Sequence, residues 1–156
     1  MKNIVKYIAI FSLLLMVGCN KPKNVHVVNA TSELLTNIVE ETNIDSTPST
    51  LFIYKGKLVE ISGALTKENF ESIYNSMAEK ESKDFTINTF TTIDNKEIDI
   101  SKYDKVCIQV LQSFCGHCKN EYDNVMKAYI FNEYSDILFI EVFVNSSIED
   151  IKEFIR

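Results

Sequence analysis

The sequence predicts an α/β fold, and two adjacent patterns lead to this prediction. Val106–Leu111 is a short, largely apolar run with β-branched residues, which is typical of a buried central strand. After Cys118 the apolar residues change to the spacing of an amphipathic helix. The residues that we expect to face the core are Tyr122, Val125, Met126, Tyr129 and Ile130. A buried strand followed directly by such a helix indicates a central sheet flanked by helices.

Further strands and helices are predicted along the rest of the chain. The strands are Val25–Val28, the hairpin pair Leu51–Tyr54 and Leu58–Ile61, and Asp136–Val144. Helices are predicted where a Ser or Thr cap precedes apolar residues at helical spacing. These caps are Thr31 or Ser32, Thr66, and Ser146 or Ser147. The mixture of strands and helices agrees with the α/β prediction.

Composition indicates one globular domain with appendages. The chain has 156 residues, of which 46% are hydrophobic, and this is enough apolar material for a core. Its formal net charge of −6 argues against nucleic acid or an anionic lipid surface as the main partner. Acidic residues shortly after Cys118, such as Glu121, are interpreted as charges that the N-terminal end of a helix favours.

The first residues predict a secretion signal. Met1–Gly18 has a basic start and an apolar stretch that is too short to span a membrane comfortably. Met16-Val17-Gly18-Cys19 resembles the lipobox of bacterial lipoproteins, in which the Cys is diacylated and the leader (residues 1–18) is removed. This resemblance implies a protein anchored by lipid at Cys19 to a bacterial membrane, outside the cytoplasm, with residues 19–24 as lipidated Cys and tether. The alternative is an ordinary signal peptide or an uncleaved anchor with an incidental Cys.

Cys115-Gly116-His117-Cys118 lies where the predicted central strand ends and the helix begins. The free N–H groups and the positive end of the helix dipole stabilise an anion there, so Cys115 should lose its proton more easily than an ordinary thiol. Cys118 is spaced to attack a mixed disulfide at Cys115 and close an intramolecular disulfide. Gly116 and His117 are the residues expected to tune the redox site, since a partly charged His117 would stabilise the thiolate. Cys107, within the strand, is expected to be a small, inert core residue.

At these residues the sequence resembles the thioredoxin superfamily, and the Cys-Gly-His-Cys form is similar to the active site of protein disulfide isomerases. From about Asp84 onward the chain looks more like bacterial membrane-anchored thioredoxins, which resolve disulfides outside the cytoplasm. The resemblance implies a thioredoxin-like central mixed sheet flanked by helices, with Cys115 and Cys118 as the catalytic pair. Phe114 stands where Trp is usual, and it either shapes the substrate groove or packs in the core. Gln109 stands where many thioredoxins have a buried carboxylate, so proton transfer to and from Cys118 is expected to be less efficient.

The first half of the chain resembles the second half of a thioredoxin. Thr47-Pro48, the predicted hairpin, Gly63 and the next helix follow one another as they do in that family after its Cys pair. In the family this Thr-Pro bond is cis, and its loop lies against the active site, where it binds an extended substrate segment. Residues 25–80 therefore resemble the C-terminal half of the fold, and residues 84–156 resemble the N-terminal half with the CxxC motif.

Two explanations account for this reversed order. In a circular permutant, Thr47-Pro48 would pack beside Cys115 and complete the site. In an incomplete remnant of two tandem domains, Val25–Val28 and Ile137–Val144 would be equivalent strands that compete for one place in the sheet. Pro48 could also be an ordinary turn residue. A close approach of Pro48 to Cys115 would favour the permutant.

The sequence therefore predicts a thiol–disulfide oxidoreductase that acts on protein disulfides outside the cytoplasm and needs no cofactor or metal. Its partners would be protein thiols and disulfides and a membrane or extracytoplasmic redox protein, and the direction of electron flow stays open. One alternative is a redox-inactive lipoprotein that binds extended peptides. Another is capture of Cu(I) or Zn(II) by Cys115, His117 and Cys118. Thiol turnover separates the enzyme from both alternatives.

Overall fold

The computed structural model describes residues 24–156. The predicted signal at 1–18, the lipidation site Cys19 and all but the last residue of the tether 19–24 lie outside these residues. Within residues 24–156, no helix is both long enough and apolar enough to cross a membrane.

The described chain folds around a six-stranded mixed sheet, which confirms the predicted α/β class. Numbered along the chain, the strands are β1 (Val25–Asn29), β2 (Ser49–Tyr54), β3 (Lys57–Ser62), β4 (Lys83–Asp84), β5 (Thr89–Thr91), β6 (Glu97–Asp99), β7 (Lys105–Leu111) and β8 (Leu138–Phe143). Their order in the sheet is β1-β8-β7-β2-β3-β4, and β5 and β6 form a separate two-stranded sheet. β1, β8 and β7 pair in parallel, whereas the pairings from β7 through β2 and β3 to β4 are antiparallel.

Helices connect these strands, and three of them begin at predicted caps. They are α1 (Ser32–Thr42), α2 (Lys67–Ser76), α3 (Gly116–Glu121), α4 (Phe131–Glu133) and α5 (Ile148–Phe154), with a π-helical segment at Tyr122–Ile130 and a 3-10 turn at Ile100–Lys102. The caps of α1, α2 and α5 are Thr31, Thr66 and Ser147, whose side chains each accept a hydrogen bond from a first-turn backbone amide. These bonds satisfy amides that have no partner within the helix.

The π-helical segment changes which residues of the predicted helix face the core. Tyr122, Met126 and Ile130, spaced by four residues, are buried. Tyr129, which we expected to face the core, is 47% exposed, so that expectation is wrong. A π-helix bonds residue i to i+5 and has more residues per turn than an α-helix, so the residue at the α-helical spacing i+7 is rotated away from the sheet.

The sheet separates two apolar clusters, and the alternation of strand side chains decides which residues join each. In β7, Cys107 and Leu111 belong to the cluster with α2, the π-helical segment and α5, whereas Ile108 belongs to the cluster with α1. Gln109 lies on the same face of the sheet as Cys107 and Leu111, because it alternates with them along β7. Glu141 of β8 is in register with Gln109. Two polar residues therefore lie side by side on the face of the sheet that α3 covers.

β1 and β8 occupy adjacent places in the sheet. β1 pairs with β8 from Val25 opposite Phe139 to Asn29 opposite Phe143, and the other edge of β8 pairs with β7. The expectation that these two segments compete for one place is therefore wrong, because β1 extends the sheet by one parallel strand.

Candidate functional site

A disulfide between Cys115 and Cys118 lies at the junction of β7 and α3. Cys115 caps α3 with an extended backbone, and its Sγ accepts a hydrogen bond from the backbone N–H of Cys118 at 3.1 Å. The backbone carbonyl of Cys115 accepts a further bond from the Lys119 amide at 3.0 Å. An N–H donor directed at a sulfur favours the anionic form of that sulfur, so this setting suits a thiolate at Cys115.

The two cysteines differ in their exposure. Cys115 is partly exposed, whereas Cys118 is buried with 0% of its surface accessible. A molecule in solution can therefore reach Cys115 but not Cys118. This difference is what the predicted roles of nucleophile and resolving thiol require.

The Thr47-Pro48 loop lies against the disulfide, although Thr47 and Cys115 are 68 residues apart in the chain. The carbonyl oxygen of Thr47 is 3.8 Å from Cys115 Sγ, and Thr47 Oγ1 donates a hydrogen bond to Gln112 Oε1 at 3.1 Å. The Thr47-Pro48 bond is cis, and Pro48 is buried. The pairing of β2 with β7 accounts for this approach, since Ser49 at the start of β2 is in register with Val110 at the end of β7.

The residues around the disulfide form its accessible surface. Phe114 is 72% exposed, so the interpretation of Phe114 as a core residue is wrong. Gly116 and His117 are exposed at the start of α3. A Cβ added to Gly116 would meet no heavy atom within 4 Å, so packing does not require glycine there. Beside Phe114 lies a cleft of about 340 Å³, lined by Ser113, Phe114, Lys119, Asp150, Glu153 and Phe154.

Gln109, Glu121 and Glu141 form a group of buried polar side chains between α3 and the sheet. Gln109 Nε2 donates a hydrogen bond to Glu121 Oε1 at 2.5 Å, and the backbone N–H of Leu65 donates to Glu121 Oε2 at 2.8 Å. Within the part of the chain that the structure describes, neither carboxyl oxygen of Glu141 has a hydrogen-bond partner. Because an unpaired buried charge is costly, this environment favours the neutral form of Glu141.

Burial raises the pKa of both carboxyl groups. The pKa of Glu121 rises from 4.5 to about 7, because desolvation outweighs the hydrogen bonds from Leu65 and Gln109. Complete burial, together with the nearby Glu121 carboxylate, raises the pKa of Glu141 well above its ordinary value. Near neutral pH, therefore, Glu121 can both accept and release a proton, whereas burial favours the protonated form of Glu141.

Cys107 is a buried free thiol on the same face of the sheet. Desolvation raises its pKa, and the Glu141 and Glu121 carboxyl groups add to that effect. A thiol that does not ionise is a poor nucleophile, so the structure agrees with the predicted inert role.

Sequence reasoning missed the position of Glu121. We interpreted it as a charge favoured by the end of a helix, but the side chain is only 3% exposed, so that interpretation is wrong. A signal for its burial was available, because Glu121 follows Cys118 by three residues and so shares its side of the helix. Glu141 alternates with Phe139 and Phe143 in a strand, and that pattern also indicates an inward side chain.

The geometry gives no support to metal capture at the motif. Among residues 24–156, no group of three or more His, Cys, Asp or Glu side chains lies close enough together to hold a metal ion.

The fold and the site define a mixed α/β protein in which a partly exposed cysteine is joined to a buried one, above a buried carboxyl group. Comparisons with protein-family models, with curated proteins and with solved structures found no match for this chain. Its function must therefore be inferred from the geometry of the site.

Proposed function

We propose that the protein is a thiol–disulfide oxidoreductase in which Cys115 attacks and Cys118 resolves. The setting of Cys115 is the observation that carries this proposal. Cys115 is partly exposed, and its Sγ accepts a hydrogen bond from the Cys118 amide at 3.1 Å and lies 3.8 Å from the Thr47 carbonyl, while Cys118 is buried. A purely structural disulfide needs neither an accessible sulfur nor a polypeptide loop beside it.

Disulfide exchange at this site proceeds in two steps in the reducing direction. The Cys115 thiolate attacks one sulfur of a substrate disulfide, so an S–S bond forms to Cys115 while the other substrate sulfur leaves and takes up a proton. Cys118 then loses its proton and attacks Cys115 Sγ, which breaks the mixed disulfide and releases the second substrate thiol. Two electrons pass from the Cys115/Cys118 dithiol to the substrate. The oxidising direction is the reverse of these steps, and neither direction needs a cofactor.

Glu121 is the group that receives the proton of Cys118 in this proposal. The two residues are three positions apart on one helix, and both are buried. A carboxyl group with a pKa of about 7 accepts and returns protons at neutral pH. Gln109 stands where the thioredoxin resemblance expects a carboxylate, and its side-chain amide holds Glu121 instead. Proton transfer then does not need a carboxylate on the strand.

A circularly permuted thioredoxin-like fold is part of the same proposal. It is supported by the position of β7, which lies between parallel β8 and antiparallel β2. It is also supported by the loop before β2, because Thr47 contacts Cys115 from the other half of the chain. Residues 25–80 and 84–156 then complete one site together. A remnant of two separate domains would not need such a shared site.

The cellular setting of the proposed enzyme rests on the leader. Removal of residues 1–18 and diacylation of Cys19 would anchor the protein on the outer side of a bacterial cytoplasmic membrane or beyond it. Its substrates there would be protein thiols and disulfides. A membrane or extracytoplasmic redox partner would restore the Cys pair after each turnover.

Trapping of the mixed disulfide tests the proposed enzyme. With a peptide disulfide as substrate, we expect wild-type dithiol protein to release peptide thiols. The Cys118→Ser variant should instead accumulate a mixed disulfide at Cys115, and Cys115→Ser should do neither. Mass spectrometry after acid quenching measures all three species. If wild-type protein releases no thiol and Cys118→Ser traps nothing, the enzyme proposal fails and a redox-inactive peptide-binding module replaces it.

A further inference from the structure

The cleft beside Cys115 combines an aromatic wall with an acidic wall. The aromatic wall is Phe114, which directly precedes Cys115 and is 72% exposed. The acidic wall is formed by Asp150 and Glu153 of α5, both exposed. These two residues are three positions apart and therefore lie on the same side of α5. An exposed ring and two carboxylates therefore line the same cleft.

The only cation of this cleft is already paired within the described chain. Lys119 Nζ is 3.0 Å from Asp123 Oδ2 and donates a hydrogen bond to the Phe154 carbonyl at 2.5 Å. Among residues 24–156, neither Asp150 nor Glu153 forms an ion pair. The cleft therefore has uncompensated negative charge.

Asp150 has a structural role as well, whereas Glu153 does not. Asp150 Oδ2 accepts a hydrogen bond from the Ser147 hydroxyl at 2.7 Å, and its backbone amide donates to Ser147 Oγ at 3.1 Å. The hydroxyl satisfies one carboxylate oxygen but leaves the charge in place. Within the described chain, the Glu153 carboxylate forms no side-chain hydrogen bond, so it is the side chain most available to a ligand.

We propose that this cleft selects polypeptide substrates that carry a lysine or arginine close to the reacting cysteine, an inference that rests on the proposed disulfide exchange at Cys115. Lysine and arginine have an apolar stem and a cationic end, so they match both walls at once. The stem packs on Phe114, whose ring face also attracts a cation, and the charged end reaches Glu153 and Asp150. The formal net charge of −6 acts in the same direction, since it steers basic partners toward the protein.

Three peptide disulfides that differ at a single residue test this selectivity. Each is a symmetrical disulfide of one short peptide, with Lys, Gln or Glu next to the cysteine. The dithiol form of the protein is mixed with each peptide, the reaction is quenched with acid, and the released peptide thiol is quantified. Each rate is divided by the rate of the same peptide with dithiothreitol, which removes the effect of the neighbouring charge on the disulfide itself.

We expect the normalised rates to fall in the order Lys, Gln, Glu. The Lys peptide should exceed the Gln peptide by about two- to fivefold at low ionic strength, as for an exposed ion pair, and salt should reduce this ratio. Glu153→Gln should lower the ratio by about twofold or more. The matched control is Glu149→Gln, which makes the same charge change on the same helix outside the cleft and should leave the ratio unchanged.

The outcomes separate this inference from the proposed function. Equal normalised rates for the three peptides, or equal effects of Glu153→Gln and Glu149→Gln, would overturn the selectivity while leaving disulfide exchange intact. Loss of exchange with all three peptides would contradict the proposed function, and the selectivity with it. Circular dichroism of each variant identifies a loss of fold. If Glu153→Gln does not fold, Glu153→Ala and the salt dependence of the wild-type ratio provide the same test.

Discussion

Titration of Glu121 should make the stability of this protein fall as the pH rises through neutrality. The pKa of Glu121 is raised from 4.5 to about 7 by burial, so the folded state keeps a proton that the unfolded chain has already released. The stability linked to this proton is present in full below pH 4.5 and is lost as the pH rises toward and past about 7. Because one pKa unit corresponds to about 1.4 kcal/mol, the total loss is about 3 kcal/mol.

The substitution Glu121→Gln isolates this contribution. Urea unfolding of wild-type protein and of the variant is measured from about pH 4 to about pH 8, with the disulfide intact in both. The variant has a constant offset of about 1–2 kcal/mol, because glutamine cannot accept hydrogen bonds at both positions where Glu121 accepts them. Its pH dependence, however, should be about 3 kcal/mol smaller than that of wild-type protein over this range.

A half-exposed carboxylate nearby provides the control for this experiment. Asp123 lies two residues further along the chain and pairs with Lys119 on the surface, so Asp123→Asn removes a nearby carboxylate while the contribution of the buried Glu121 to the pH dependence remains. Glu141 also has a raised pKa, and the Glu121 carboxylate is one cause of it, so the difference between wild-type protein and Glu121→Gln includes the change at Glu141 that the loss of this carboxylate produces. If Glu121→Gln and wild-type protein lose stability in parallel between about pH 4 and about pH 8, Glu121 does not titrate near neutrality and the reasoning is refuted.

Three further predictions concern the same buried layer. Glu121→Gln should slow resolution of the mixed disulfide at Cys115 by about 100-fold near neutral pH, because it removes a proton acceptor. It should also remove the rise in this rate through about pH 7. Quenched-flow alkylation measures the rate, and an unchanged pH profile would contradict the prediction. Cys107→Ala should leave the rate of exchange unchanged, because the thiol is fully buried; native wild-type protein that alkylates rapidly at Cys107 would contradict this. Glu141→Met should stabilise the protein by about 1–3 kcal/mol in urea unfolding, because it removes a buried carboxyl group without a partner; a destabilised variant would show that Glu141 is satisfied in some other way.

Local patterns were sufficient to predict most elements of the fold. The strand around Val106–Leu111, the hairpin after Pro48 and the capped helices all follow from the side-chain period and the capping residues of short segments. Their arrangement in the sheet could not follow from such patterns, because the pairing of β2 with β7 joins segments about a third of the chain apart. The approach of Thr47 to Cys115 was expected only through a family resemblance.

The buried carboxyl layer could not be predicted in the same way. Sequence shows that Glu121 is acidic and lies near the start of a helix, and most such residues are exposed. Its burial depends on the exact rotation of α3 over the sheet, and on Gln109 and Leu65, which donate hydrogen bonds from two other parts of the chain. The exposure of Tyr129 has a similar origin, since the change from α-helical to π-helical bonding is not visible in the apolar spacing.

The reduction potential of the Cys115/Cys118 pair is the most direct test of the proposed enzyme. The protein with Cys19→Ser and Cys107→Ala, which leaves only this pair, is equilibrated in glutathione buffers and its thiols are counted after acid quenching. We predict one reversible two-electron couple between about −270 mV, typical of a reductant, and about −120 mV, typical of an oxidant. The position of the couple then gives the direction of electron flow. A pair that is not reversible, or that has a potential below about −300 mV like a structural disulfide, would contradict the proposal.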